Sequence, residues 1–167
     1  MYYMRVLMDA DAIVKLAVAS AKEEYLASVE GFIAPAAARE ASLPGVPSRP
    51  ADAVQVEENI RSRRLKLAGG GRLQKESPLR TDVDGDHDML GWAESPGFEL
   101  VVTDDRRLRR LLVGRAHNPV GLCGSIAILT GRGILPKERG LAILARLRGR
   151  VREADRLAAI RDVETNR

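Results

Sequence analysis

The sequence predicts an α/β protein with a parallel sheet. Short apolar segments of strand length alternate along the chain with longer segments rich in Ala and Leu, the pattern that parallel strands and their connecting helices produce. The chain of 167 residues has 45% hydrophobic and 30% charged residues, which is typical of a globular domain. We expect one domain over residues 1–150, followed by an arginine-rich helical extension over residues 151–167.

The elements near the start of the chain have clear local patterns. Residues 4–8 predict a strand with a buried face, and the Ala-, Leu-, Lys- and Glu-rich residues 11–28 predict a helix. Residues 32–35 predict a second, short strand. Pro35 suits the first position of a helix, which we expect over residues 35–42.

The middle of the chain begins with a proline-rich connection over residues 43–51. Partial apolar spacing over residues 52–67 then predicts a helix, which the glycines of residues 69–71 end. Residues 72–84 are polar, and we expect a loop of functional length there.

The second half of the chain continues the alternation of helices and strands. Residues 86–95 predict a helix that Pro96 and Gly97 end, and residues 99–103 give the strongest strand pattern of the chain. The later predicted elements are a basic helix, a short strand, two helices and the terminal extension, over residues 105–113, 119–122, 124–131, 137–148 and 151–167.

Charge is distributed unevenly along the chain. Residues 1–105 carry 12 Lys and Arg against 18 Asp and Glu, whereas residues 106–167 carry 15 against 5. This division indicates a cluster of acids in the first part and attraction of polyanions by the second. A solvated, arginine-rich surface is the alternative explanation of the basic part.

Several classes of protein are excluded by composition. Cys123 is the only cysteine, so the chain has no intramolecular disulfide and no zinc site built from several cysteines, and its apolar neighbours predict a core residue. The sequence contains no run of 18 apolar residues, so no membrane-spanning helix is predicted. Asp9 and Asp11 interrupt the first apolar stretch, which argues against a signal peptide. We therefore expect a cytoplasmic protein.

Two pairs of aspartates follow predicted strands. Asp9 and Asp11 come after residues 4–8, and Asp104 and Asp105 come after the strand of residues 99–103. Because the carboxyl ends of parallel strands meet at one edge of a sheet, these acids are expected to converge. Carboxylates so close together repel one another, and Mg²⁺ or Mn²⁺ is the usual partner that relieves the repulsion. The alternative for each pair is helix capping, worth about 1 kcal/mol.

Two further acids begin or occupy predicted helices. Glu40 lies in the helix of residues 35–42, and Asp88 lies near the start of the helix of residues 86–95. The alternatives are a solvated carboxylate for Glu40 and compensation of the helix dipole for Asp88. A calcium loop over residues 82–93 is disfavoured, because His87 and Ala93 replace the glycine and glutamate that such a loop needs.

Four motifs in order resemble those of a known family. They are Val6-Leu7-Met8-Asp9, the segment 34–41 that contains Glu40, Gly85-Asp86-His87-Asp88, and the segment 100–107 with Thr103-Asp104-Asp105. Together they resemble the motifs of PIN-domain proteins, metal-dependent ribonucleases that include toxins of type II toxin–antitoxin pairs. The resemblance implies a three-layer α/β/α sandwich with a central parallel sheet. Asp86 and Asp88 stand where the family has longer glutamates, and residues 43–84 do not align.

The resemblance also implies a chemistry and its residues. It implies hydrolysis of RNA phosphodiester bonds with one or two Mg²⁺ or Mn²⁺ ions, an antitoxin protein as a partner and a homodimer. The metal ligands that it implies are Asp9, Glu40, Asp88 and Asp105, with Asp11 and Asp104 as accessory ligands and Thr103 bonded to a ligand or a water.

A basic segment follows the second acidic pair directly. It contains Arg106, Arg107, Arg109 and Arg110, which could hold the phosphates of RNA while the acids hold the metal. The alternative is a solvated helix face.

Other functions stay open. A non-catalytic nucleic-acid-binding PIN-like module would bind RNA without cleavage that depends on a divalent ion, and the shorter aspartates at residues 86 and 88 are compatible with it. A protein–protein interaction module is a further alternative. A small-molecule phosphohydrolase is less well supported, because Gly69-Gly70-Gly71 lacks the Lys and Ser or Thr of a phosphate-binding loop.

Overall fold

A computed structural model describes residues 3–42, 58–62, 64–69, 85–115 and 119–165, with the backbone alone for residues 39–42 and 85–87. The elements are β1 (Met4–Met8), α1 (Ala10–Val18), α2 (Lys22–Ser28), β2 (Val29–Ile33), α3 (Pro35–Ser42), β3 (Leu65–Leu67), α4 (Gly85–Ala93), β4 (Leu100–Val102), α5 (Arg106–Leu112), β5 (Pro119–Val120), α6 (Leu122–Gly131), α7 (Lys137–Arg146) and α8 (Glu153–Thr165). Residues 58–61 are also helical.

The five strands form one parallel sheet in the order β3-β2-β1-β4-β5. The central strand β1 pairs with β2 along its whole length, from Met4 opposite Val29 to Met8 opposite Ile33. Its last residues also pair with β4, where Met8 lies opposite Val102. The predicted α/β class with a central parallel sheet is confirmed.

Helices cover both faces of the sheet. Successive side chains of a strand point to opposite faces, so each strand contributes to the packing on both sides. Val6 and Met8 belong to a first core with residues of α1, α2, α3, α6, α7 and α8. Leu7 belongs to a second core, to which α4 and α5 contribute residues such as Met89 and Leu108. The result is three layers, with the sheet in the middle.

The arginine-rich end of the chain is helical, and its apolar residues pack into the first core. Ala159 and Val163 on α8 are buried there with residues of α6 and α7. Helix α8 is therefore held by the same core as the sheet.

The helix predicted over residues 11–28 is wrong in one respect, because it is two helices. Ser20 adopts a left-handed backbone with φ of 51° between them. Its N–H donates to the Ala17 carbonyl at 2.9 Å, and the Ala21 N–H donates to the Leu16 carbonyl at 2.9 Å. These two bonds form a Schellman motif, which ends α1 without a glycine.

The helix predicted over residues 52–67 is also wrong at its end. Leu65–Leu67 form strand β3, which pairs with Gly31–Ile33 of β2. Pairing with β2 and burial of Leu65 and Leu67 outweigh the local helical spacing. The proline-rich connection of residues 43–51 and the polar residues 72–84 lie outside the described residues.

The other predicted elements are found within a few residues of their expected ends. Strand β2 begins at Val29, earlier than the predicted residues 32–35, and α8 is separate from α7. In the part of the chain that the structure describes, no helix has the length and apolar character needed to cross a membrane.

Candidate functional site

The carboxyl ends of β1 and β4 define the edge of the sheet at which the predicted acids lie. From β1 the chain builds the sheet outward through β2 and β3, and then returns to the other side of β1 as β4. Crevices at such a switch in strand order are the usual ligand sites of open α/β sheets. We call the residues that follow β1 and β4 here, Asp9 with Asp11 and Thr103–Asp105, the carboxyl edge.

Asp9 lies at the centre of the carboxyl edge and begins α1. Its backbone N–H donates to the Val102 carbonyl at 3.0 Å, which extends the pairing of β1 with β4 by one bond. Its Oδ1 accepts the Ala12 N–H at 2.7 Å, so the side chain caps α1. Its Oδ2 accepts the hydroxyl of Thr103. Both oxygens are thus oriented by the protein.

Ionisation of the Asp9 carboxyl group is unfavourable in this position. Burial raises the pKa of Asp9 from 3.8 to about 7, against the lowering effect of the bonds from Thr103 and Ala12. The negative charges of Asp11 and Asp104 raise it further. A cation beside Asp9 would favour its ionised form and remove this cost.

Thr103 connects the two strand ends. Its side chain is fully buried, and its Oγ1 donates to Asp9 Oδ2 while it accepts the Asp105 N–H at 3.1 Å. Thr103 therefore fixes the position of Asp9 relative to the turn after β4.

Asp104 is held by both of its oxygens. Oδ2 accepts from the Lys15 ammonium at 2.9 Å, and Oδ1 accepts the Leu122 N–H at the start of α6 at 2.8 Å. The Lys15 ammonium also lies 2.6 Å from Asp11 Oδ2. Burial alone would lower the pKa of Lys15, but the hydrogen bonds and charges of Asp104 and Asp11 outweigh it and raise the pKa.

Lys15 is the residue of this edge that sequence reasoning missed. The available signal was its spacing, because Asp11 and Lys15 are four residues apart on one helix and can form an ion pair. Its second partner, Asp104, is 89 residues away in the sequence, and only the fold brings the two together.

Gly121 permits the close approach of two charged groups. A Cβ built on it would lie 3.0 Å from Asp104 Oδ1 and 2.8 Å from Arg109 Nη1. The cationic end of Arg109 therefore reaches from α5 to the carboxyl edge.

Asp105 and Asp88 also cap helices. Asp105 is exposed, and its Oδ1 accepts the Arg107 N–H at 2.7 Å and the Leu108 N–H at 3.1 Å at the start of α5. Asp88 Oδ2 accepts the Ala36 N–H at 2.7 Å and so caps α3 where β2 ends. Glu40 lies on α3, but its side chain is outside the described residues.

The four aspartates 9, 88, 104 and 105 thus share one structural role, since each accepts a backbone N–H at a helix start. Among the side chains that the structure describes, no three His, Cys, Asp or Glu residues form a group that could hold a metal ion. This does not make the site unsuitable for Mg²⁺, which commonly takes one or two carboxylates and completes its shell with waters and substrate phosphates. The oxygens and the excess negative charge around Asp9 fit that chemistry.

The arginines of α5 lie beside the acids. Arg106, Arg107 and Arg110 are exposed, and Arg109 is partly buried. Of the arginines near the chain end, Arg146 bonds the Ser20 carbonyl at 2.7 Å and Glu24 at 2.9 Å, and Arg156 pairs with Glu153. These two hold structure together, whereas the exposed cations of α5 are accessible to a polyanion.

Cys123 is a core residue, as predicted. It is 2% exposed, and burial raises the pKa of its thiol to about 12. A thiol that stays protonated at neutral pH is not a nucleophile.

Comparisons of the chain with protein-family models, with curated proteins and with solved structures found no match in any of the three.

Proposed function

We propose that the chain is a divalent-metal-dependent endoribonuclease of the PIN-domain type, which hydrolyses RNA phosphodiester bonds. The observation that carries the proposal is the Asp9 carboxylate, which burial and two neighbouring acids make costly to ionise. Among the described residues, Lys15 is the one cation paired with this group of acids. A divalent cation is the partner that such a carboxylate fits.

The proposed ligands of Mg²⁺ or Mn²⁺ are drawn from Asp9, Glu40, Asp88 and Asp105. Because the described members of this set do not form one group, an ion would take one or two of them and complete its shell with waters and substrate phosphates. A bound divalent ion supplies Lewis acidity towards a phosphate and a water of lowered pKa. Ala12 and Thr103 orient the two oxygens of Asp9, which supports a defined position for that carboxylate before substrate arrives.

The substrate class follows from the charges next to the acids. Arg106, Arg107 and Arg110 are exposed on the helix that Asp105 caps, so cations and acids share one edge. Cations of this kind hold the phosphates of a nucleic acid, whatever its sequence.

The same proposal extends to a biological role. The motif resemblance supports the role of a toxin in a toxin–antitoxin pair. Such a toxin would act in the cytoplasm as a homodimer, and an antitoxin protein that covers the carboxyl edge would inhibit it.

The proposal is tested by incubating the protein with a pool of structured and single-stranded RNA in Mg²⁺, Mn²⁺ or EDTA. We expect cleavage with either metal, none in EDTA, and a loss of at least about 100-fold for Asp9→Asn and Asp105→Asn, since even partners of metal ligands commonly contribute 10- to 100-fold. The one side-chain oxygen of asparagine can still accept the capping N–H bonds at both positions. In Asp9→Asn the bond from the Thr103 hydroxyl is lost, because the amide nitrogen only donates. Asp162→Asn on α8 is the matched control and should cleave normally.

A non-catalytic nucleic-acid-binding module is the second candidate function. It is favoured by one observation, namely that four of the candidate carboxylates already accept a backbone N–H at a helix start, those of Asp9, Asp88, Asp104 and Asp105. Folded protein that binds the RNA pool but cleaves it with neither metal would establish this alternative and reject the nuclease.

A further inference from the structure

We propose that the turn between α7 and α8 is a second RNA-binding surface, which holds phosphates through Arg148, Arg150 and Arg152. We call residues 147–152 the basic turn. The inference goes beyond the proposed function, because it assigns RNA contacts outside the carboxyl edge. It rests on the proposed function only for the choice of RNA as the polyanion.

The backbone of the basic turn is anchored to the first core. Leu147 is fully buried in that core, and Val151 packs against it. The Arg150 N–H donates to the Leu147 carbonyl at 3.0 Å, and Gly149 adopts a left-handed backbone with φ of 75° between the two helices. The three arginines are all exposed. The turn thus presents them from an ordered backbone, which lowers the entropy cost of binding.

The positive charge of the basic turn is not balanced by nearby acids. Residues 147–152 contain three arginines and no Asp or Glu, and among the described residues these arginines form no ion pair. The nearest acids in the sequence, Glu153 and Asp155, lie in the first turn of α8, where negative charge stabilises a helix start. Glu153 is bonded to Arg156 at 2.6 Å, and this bond, with the charges of Arg156 and Arg148, holds the pKa of Glu153 below its ordinary value. The turn therefore keeps an excess of positive charge that attracts a polyanion.

The basic turn leads into α8 near the carboxyl edge. Burial, and then the charges of Asp104 and Asp155, raise the pKa of the Cys123 thiol to about 12. The start of α8 is therefore close enough to the start of α6 for its charges to act there, and Asp104 caps that same end of α6 through the Leu122 N–H. Helix α8 packs in the first core and α5 in the second, on opposite faces of the sheet. The cations of α5 and of the basic turn thus approach the carboxyl edge from opposite faces.

The side chains of the basic turn suit phosphates better than an acidic protein. A guanidinium group donates two parallel N–H bonds to a phosphate and stays charged at neutral pH. A protein partner needs apolar or aromatic side chains that become buried at the centre of the interface. Leu147 and Val151 are the apolar residues of the turn, and both already pack into the core. We therefore expect the turn to hold the RNA backbone without sequence preference.

The experiment measures binding of a labelled single-stranded RNA by fluorescence anisotropy, in EDTA and over a salt series. Combined Arg148→Ser, Arg150→Ser and Arg152→Ser should weaken binding about 30-fold at low salt. The slope of log affinity against log salt should fall by about 2, since each phosphate contact to a single strand contributes about 0.7. Arg148→Lys, Arg150→Lys and Arg152→Lys together keep the charge and should leave the slope unchanged.

The matched control removes the same charge from other exposed positions in or beside α6, α7 and α8. Arg132→Ser, Arg139→Ser and Arg161→Ser combined should change the slope by less than about 0.7, the contribution of one contact. Equal losses in the two triple serine variants would mean that overall charge holds the RNA, and would overturn the inference.

The other outcomes separate this inference from the proposed function. An unchanged slope in the serine variant of the turn, or no RNA binding by the native chain, would overturn it. A variant that loses affinity for polyglutamate but not for RNA would also overturn it, and would assign the turn to an acidic protein. Cleavage in Mg²⁺ or Mn²⁺ is measured separately, so the nuclease proposal would stand in the first and third cases. RNA that is held by the turn but cut with neither metal would reject the nuclease and support the inference.

Discussion

The two edges of the sheet both carry charged side chains, but they balance them differently. At the amino edge, where β1, β2 and β3 begin, Arg5 Nε lies 3.6 Å from Glu30 Oε2 and the Lys66 ammonium lies 2.5 Å from Glu30 Oε1. The Arg5 guanidinium also lies over the rings of Phe32 and Phe98, at 4.8 Å and 5.4 Å from their centres. These charged groups are a third to a half exposed and face opposite charges.

The carboxyl edge differs in burial and in balance. There Asp9 is ionised only at a cost, and Lys15 is shared between Asp11 and Asp104. A surface depression of about 630 Å³ opens at the amino edge, lined by Tyr3 and Arg5 among others. The unbalanced carboxylate, and not the size of a depression, therefore indicates where chemistry is to be sought.

The largest expected difference between the edges is in pH-dependent stability. Because the folded chain holds the Asp9 proton more tightly than the unfolded chain, the free energy of unfolding falls as the pH rises from 3.8 to about 7. Above that pH the folded chain bears the full free-energy cost of ionising Asp9. Asp9→Asn removes it, and should be more stable than the native chain near pH 8 in EDTA by about 1 to 4 kcal/mol.

Urea unfolding of the native chain and of Asp9→Asn, at pH 5 and pH 8, measures this difference in the free energy of unfolding. The difference should shrink to less than about half near pH 5, since most of the window between the two pKa values lies above that pH. Glu30→Gln at the amino edge is the control, because that carboxylate is partly exposed and already faces two cations. A constant difference for Asp9→Asn would contradict the raised pKa.

RNA affinity should depend on the cations of the carboxyl edge. Arg107→Ser combined with Arg110→Ser should weaken binding about 10-fold and reduce the slope of log affinity against log salt by about 1.4, since each phosphate contact to a single strand contributes about 0.7. Fluorescence anisotropy over a salt series measures both quantities.

The matched control removes two cations from the amino edge. Arg64 and Lys66 are exposed there and pair with Glu23 and Glu30. Arg64→Ser with Lys66→Ser should leave the slope nearly unchanged. Equal effects of the two double variants would mean that RNA is held by overall charge and not by the carboxyl edge.

The packing of the carboxyl edge is tested by a pair of glycines. Gly121→Ala would place a Cβ 2.8 Å from Arg109 Nη1, the end of a long side chain that can move, and 3.0 Å from Asp104 Oδ1, whose position Lys15 and Leu122 fix. The change should cost about 1 to 2 kcal/mol of stability. In Gly124→Ala the nearest atom is the Val120 Cβ at 3.6 Å, so this change within α6 should stabilise by about 0.5 to 1 kcal/mol. The midpoint temperature of thermal unfolding should therefore fall for Gly121→Ala and rise for Gly124→Ala. A shift of the same sign in both would remove the argument for a tight Asp104 position.

The smallest effect is expected at the amino edge. Glu30→Gln breaks the exposed pairs with Arg5 and Lys66, and should cost no more than about 1 kcal/mol, an effect that salt reduces further. Denaturant titrations at low and high salt measure it. A larger cost that salt does not change would show that this edge is as sensitive as the carboxyl edge.

Much of the fold could be predicted because the relevant signals are local. Residues 4–8 and 99–103 carry dense apolar patterns, and the structure has strands at Met4–Met8 and Leu100–Val102. The errors arise where local sequence patterns do not determine the backbone conformation. Strand β3 has three residues and exists through its pairing with β2, and the break at Ser20 depends on a left-handed residue that is not glycine.

The site was predictable only in its location. Parallel strands place Asp9 and Asp104 at one edge, so their convergence follows from the topology. What each carboxylate does there is not encoded locally, because a helix cap and a metal ligand both require an oxygen at the start of a helix. The cap of Asp9 on Ala12 is local and was one of the two alternatives that the sequence left open. The bonds of Asp88 to Ala36 and of Asp104 to Leu122 join residues far apart in the sequence and appear only in three dimensions.

The most direct test of an unbalanced carboxylate at the carboxyl edge is the titration of Asp9 itself, followed by carbon-13 NMR of its carboxyl group. Asp9→Asn assigns the signal. The structure predicts a midpoint at a pH of about 7 in EDTA, and Mg²⁺ should move it to lower pH because a cation favours the ionised form. A midpoint near the ordinary value of 3.8 in EDTA, or one that Mg²⁺ does not move, would contradict the account.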